Sequence, residues 1–113
     1  MIFKNLLNKL VNQFSNFGAN RSKEWAKVRN KHLENFPECQ ACGRSDDVDV
    51  HHIVPVHLNP SLELNENNLI TLCAKYCHFT IGHLMDWKSW NEDVVLDAAR
   101  QYKKIKNRPY HDN

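Results

Sequence analysis

A small α+β fold is what this sequence predicts: helices on both sides of two short strands, drawn together by a four-cysteine metal clamp. Three observations carry that expectation. Cys39 and Cys42 form a C-x2-C pair, and Cys73 and Cys77 form a C-x3-C pair 30 residues further on. Two short segments between these pairs, around "VDVHHIVPV" (48–56) and at "LITLC" (69–73), have the β-branched, turn-bounded character of strands. Outside this central part, apolar residues recur at helical spacing. The 113 residues suit one small domain, and 42% hydrophobic with 25% charged residues is an ordinary globular balance.

The elements follow in order. Ile2, Phe3, Leu6, Leu7, Leu10, Val11, Phe14 and Phe17 give residues 2–17 one broad apolar helical face, broken at Gly18. A second helix is expected from Ser22, a good N-cap, with Glu24 in its first turn. It runs through Trp25, Val28, His32 and Leu33 and stops before Pro37. His32 on that stripe is expected to pack at the edge of the core. The first cysteine knuckle comes next, then the polar turn "GRSDD", then a strand ended by Pro55 and Pro60. The second strand feeds the second knuckle. A helix is expected from about His78 to Lys88, with Trp87 and Trp90 in the core. Asn91 is placed to cap a last helix, with acidic Glu92 and Asp93 at its start and Lys103, Lys104 and Lys106 near its end, until Pro109 stops it. The expected organisation is 1–36 N-terminal helices, 37–90 core with knuckles, and 91–113 C-terminal helix and tail, within one compact domain.

Charge is unevenly spread. The total is +2, but residues 1–35 carry +5 and the cysteine- and histidine-rich residues 36–83 carry −4. Four thiolates would make the centre more acidic still, and bound cations would offset that. The basic flanks are where a phosphate backbone is expected to lie. The first residues contain no unbroken apolar run and no small-residue cleavage site, and no segment approaches the ~20 residues of a membrane helix. The expectation is therefore a cytoplasmic protein (host cytoplasm if viral) with no membrane partner. In that reducing setting, the cysteine spacing favours a structural zinc ion over two disulfides or a redox pair.

The adjacent histidines His51 and His52 raise a separate question. On an extended strand, neighbours point to opposite faces, so each is expected to have its own task. "HHIVP", "NNLITLC" and "CHFTIGH", in this order and flanked by cysteine pairs, closely resemble the HNH endonuclease family with its ββα-metal fold. The resemblance covers residues 39–83 and is nearest to the small HNH proteins of phages and prophages. It implies a metal-dependent nuclease that hydrolyses DNA, leaving a 5′-phosphate and a 3′-hydroxyl. By resemblance, His52 is the general base, Asn68 orients it, and His51 and His78 bind a catalytic divalent cation (Mg²⁺, Mn²⁺, Ni²⁺ or Zn²⁺). His83 is a third candidate ligand. Its spacing of five from His78 departs from the pattern, because five residues on an ideal α-helix turn by about 140°. Lys88, Arg21 and Lys23 are candidate DNA contacts. His57 is expected at the loop surface or near substrate, and His111 in the tail.

Chemistry agrees with these roles. Phosphodiester hydrolysis needs an activated water, which a neutral imidazole can supply, and charge stabilisation, which one cation can supply. The resemblance also suggests double-stranded DNA as partner, phage packaging proteins as further partners, and a monomer or homodimer. The competing reading is a non-catalytic zinc module that binds nucleic acid or a partner protein. It has no use for His51, His52, Asn68 and His78 together.

Overall fold

The computed structural model describes residues 21–108. The expected amphipathic helix over 2–17, Pro109 and His111 lie outside them. Two strands, β1 (Val48–His52) and β2 (Leu69–Cys73), form an antiparallel pair between two helices, α1 (Trp25–Asn35) and α2 (Val94–Lys106). This is the expected α+β order. No helix among the described residues is long and apolar enough to cross a membrane.

The register pairs Val48 with Cys73, Val50 with Thr71, His51 with Ile70 and His52 with Leu69. Every residue of β2 is buried, which is why it reads as a continuous apolar run. β1 is only half covered except at its last two residues, His51 and His52. Alternation then sends these two to opposite faces. His51 meets the chain that follows the second knuckle, and His52 meets Trp25 of α1.

Neither expected cap is the N-cap: Glu24 precedes α1 and Asp93 precedes α2, neither with a side-chain cap bond, and Ser22 and Asn91 each stand two residues earlier. Ser22 Oγ accepts from Glu24 N at 3.0 Å, and the α-helix proper starts at Trp25. Asn91 Oδ1 accepts from Asp93 N at 2.9 Å, and α2 starts at Val94. Asn91 also donates to the Ile81 carbonyl and to Asp97 Oδ2, so it joins α2 to the segment before it. His32 is buried more deeply than a core edge, 2% exposed, with Nδ1 3.3 Å from Glu66 Oε1.

The core is small. Ile70, Leu72 and Val94 are the large aliphatic side chains among the fully buried residues, and cysteines fill much of the remainder. Three such side chains contribute about 1.5–3 kcal/mol each, far less than ordering the chain costs. A metal at the cysteines is the natural supplement.

The helix expected from His78 to Lys88 does not form. A single π-helical turn spans His78–Gly82 and closes with a hydrogen bond from His83 N to His78 O at 3.1 Å. Leu84 and Met85 then adopt left-handed backbone, with φ of 55° and 66°, and the chain reverses. Met85 N donates to Phe79 O and Asp86 N to His83 O, which satisfies the amides at the reversal. Trp87, expected in the core, is 54% exposed on this turn. Its ring is needed elsewhere, against the histidines described next.

Candidate functional site

Two clusters of metal-type ligands emerge. The first gathers Cys39, Cys42, Cys73 and Cys77, whose sulfurs all lie within 4.8 Å of one another. The first knuckle turns at Gly43, whose φ of 82° suits glycine. Cys42 N points at Cys39 Sγ (3.4 Å) and Cys77 N at Cys73 Sγ (3.3 Å), donating to sulfurs that would be thiolates. Gln40 ties this knuckle to β2: its amide donates to the Thr71 carbonyl, and its side-chain oxygen accepts from Thr71 N. Burial, and then Cys39 and Cys73 beside it, pushes the Cys77 thiol up. A cation held by the four sulfurs would favour the Cys77 thiolate. Cys42 Sγ and Cys73 Sγ are 3.8 Å apart, which is about the edge of a tetrahedron built on Zn–S bonds of ~2.3 Å. The donor set fits zinc.

The second cluster is His51, His78 and His83. Their ring centroids form a nearly equilateral triangle, with sides of 5.0, 4.9 and 4.9 Å. The π turn explains how a spacing of five achieves this. An i→i+5 turn is wider than an α-helical one, so residues five apart return to one side. Gly82 makes room: a Cβ there would sit 3.2 Å from His51 Cε1. His78 Nδ1 lies 3.1 Å from Asp49 Oδ2, and His83 Nδ1 lies 2.8 Å from the Ser89 carbonyl. Both partners accept, so each Nδ1 carries the proton and each Nε2 keeps a lone pair. His51 Nε2 is buried with no hydrogen-bond partner. Burial, followed by His78 and His83, pushes the His51 pKa down to about 2. Burial also lowers His78, against the opposing pull of Asp49. Neutral imidazoles with free lone pairs are the ligand form, and the orphaned His51 nitrogen fits a cation.

His51, His52, His78 and His83 line one cleft of about 450 Å³, together with Arg21 and Lys88. His57, exposed, stands on its wall, as does half-buried Trp90. Lys23 is exposed and is not among the lining residues.

Residues 39–84 match the family model described as HNH endonuclease. This part of the chain is similar to an HNH endonuclease domain. Comparison with curated proteins and with solved structures gave no match.

Within the matched region, His52 is held differently from what the sequence suggests. Its Nε2 lies 2.9 Å from the backbone carbonyl of Glu63, not against Asn68. A carbonyl only accepts, so the proton sits on Nε2 and the lone pair on Nδ1. Burial lowers the His52 pKa, against the raising effect of that carbonyl bond. Asn68 acts one step away. Its side chain accepts from Val54 N (2.8 Å) and donates to the carbonyls of Val54 (3.0 Å) and Leu62 (3.3 Å). It thus folds the loop that presents Glu63. Neighbouring Asn67 is exposed, which separates the two asparagines.

Sequence reasoning missed three participants. Asp49, two residues before His51, braces His78 across the hairpin, and the period-two alternation of a strand was the available signal. Trp87 packs 4.9 Å from His83 and 5.3 Å from His78, ring to ring. Trp25 packs 4.6 Å from His52.

Proposed function

We propose that this chain is a metal-dependent endonuclease that hydrolyses phosphodiester bonds of double-stranded DNA, with His52 as general base. One observation carries the reading. A single cleft brings the neutral His52 beside a three-imidazole cation site and two basic side chains. His52 Nδ1 takes a proton from the attacking water, while the Nε2–H bond to Glu63 holds the ring. His51, His78 and His83 would hold one divalent cation, which when bound supplies charge stabilisation to the phosphate and leaving oxygen. Three imidazoles suit Zn²⁺ or Ni²⁺ better than Mg²⁺ or Mn²⁺, which favour oxygen ligands. Arg21 and Lys88 would contact phosphate from the cleft walls. Cys39, Cys42, Cys73 and Cys77 would hold a second, structural zinc ion. The expected products are a 5′-phosphate and a 3′-hydroxyl.

The test is plasmid relaxation with Mg²⁺, Mn²⁺, Ni²⁺ and Zn²⁺, comparing wild type with His52→Ala. Cleavage by wild type alone, with the folded variant retaining both metals, supports the reading. Equal cleavage by both proteins removes His52 from the mechanism. A wild-type protein that binds DNA without cutting it under any of these cations returns the zinc-module reading.

A further inference from the structure

The family match begins at residue 39, yet part of the His52 environment comes from before it. Trp25, in the first turn of α1, places its ring 4.6 Å from the His52 ring, tilted by 30°. The Arg21 guanidinium lies 5.5 Å from the same indole. Between them in sequence, Ser22 donates its backbone N–H to Glu63 Oε2 at 2.7 Å. Glu63 is the residue whose carbonyl receives His52 Nε2–H. One short segment therefore touches the imidazole on its face and anchors the residue that holds its edge.

We propose that residues 21–25 are a positioning element for His52. Trp25 fixes the plane of the imidazole. Ser22, through the Glu63 carboxylate, fixes the carbonyl that selects its tautomer. The physical need is plain. His52 ends β1, and a ring held by one hydrogen bond can rotate about its Cα–Cβ and Cβ–Cγ bonds. A second contact across the ring face removes that freedom, and the carbonyl is useful only while its loop stays in place. Misplacing a reacting group by about 1 Å can cost on the order of 10²-fold in rate. Neither Trp25 nor Ser22 touches the reacting atoms, so their effect falls on turnover rather than on DNA binding.

This inference rests on His52 being the base, and the experiment separates the two ideas. Long-range ¹H–¹⁵N imidazole spectra of the zinc-loaded full chain read the His52 tautomer without any turnover. Wild type is expected to show the Nε2–H form alone. Trp25→Leu and Glu63→Ala should each mix in the Nδ1–H form and lower kcat on plasmid about tenfold, with KM unchanged. Trp25→Phe and Glu63→Gln keep an aromatic face and an acceptor, and should recover most of both effects. If Trp25→Leu and Glu63→Ala keep the single tautomer and the wild-type kcat, the proposal is overturned. It is also overturned if their losses track loss of cysteine-bound zinc and the conservative variants do not recover them. Should Trp25→Leu fail to fold, the Glu63 pair decides. A wild type that shows the single tautomer but never cuts DNA would instead refute the nuclease reading.

Discussion

The four-cysteine cluster and the three-histidine cluster are built from the same stretch of chain and face opposite demands. Three of the cysteines are buried, and none lines the histidine cleft. Backbone amides and Gln101 Nε2 point at their sulfurs. Four such donors complete a tetrahedron and leave no position for a substrate. The histidines supply only three donors and open on a cleft of about 450 Å³. The outer nitrogens of His78 and His83 are spoken for by a carboxylate and a carbonyl, which fixes how those two rings point inward. A closed site of four and an open site of three teach the same lesson: ligand number and access, more than residue type, would divide a fold-holding metal from a reactive one.

The sharpest way to break that comparison is to remove one ligand from each cluster. Cys73→Ser should abolish the cooperative thermal transition and the tightly held zinc together. Structural zinc is worth about 10–16 kcal/mol in small metal-dependent folds, more than the ~5–15 kcal/mol total stability of a domain. Circular dichroism and metal analysis check both losses. A Cys73→Ser protein that melts like wild type would make the cysteine site dispensable and the contrast empty.

Next in size is His52→Ala, which touches neither cluster's ligands. Loss of the proposed general base should lower cleavage on the order of 10²–10⁴-fold, while metal binding at both clusters and the melting transition persist. A weaker effect follows from Asp49→Ala. It leaves all three histidines but frees the His78 ring. Affinity of the histidine site should fall about 10–100-fold, with the cysteine site unaffected. Trp87 offers the measurement: its ring lies 4.9 Å from His83, so Ni²⁺ binding should quench its fluorescence, and Trp87→Phe assigns the signal.

These effects also mark what could be read from sequence. The cysteine pairs, both strands and the grouping of His51 with His78 were legible because each depends on residue type at a fixed local spacing, whereas the helix caps fall two residues after Ser22 and Asn91. The link from His52 to Glu63 was hidden because the acceptor is a backbone carbonyl, which every residue possesses and no spacing singles out. Trp87 was misplaced because an apolar ring was assigned to the core by default, whereas here it covers imidazoles at the surface. Trp25 was legible as a helix residue only. Its partner lies 27 positions away and meets it through the tertiary fold. The His83 spacing looked wrong because an α-helix was assumed; the π turn resolves the angle, and no local propensity announces one.

Gly82→Ala is the smallest and most discriminating change. Gly82 is buried inside the π turn, and its backbone φ is not in the left-handed region, so alanine meets no conformational barrier there. The added Cβ would lie 3.2 Å from His51 Cε1, 3.2 Å from Leu72 Cδ1 and 3.3 Å from His51 Nδ1. Leu72 is fully buried in the core, and His51 stands on β1. Something must give by a few tenths of an ångström, and the side with free space is the histidine ring, which borders the cleft. The expected result is a melting temperature within a few degrees of wild type, because alanine also favours helical backbone by about 1 kcal/mol over glycine. Divalent-cation affinity at the histidines should nevertheless fall several-fold, as the three-nitrogen triangle widens. Cysteine-bound zinc should not change. If the loss appears instead as a lower melting temperature with intact cation affinity, the strain has gone into Leu72, and the His51 ring is held more rigidly than the core side chain beside it.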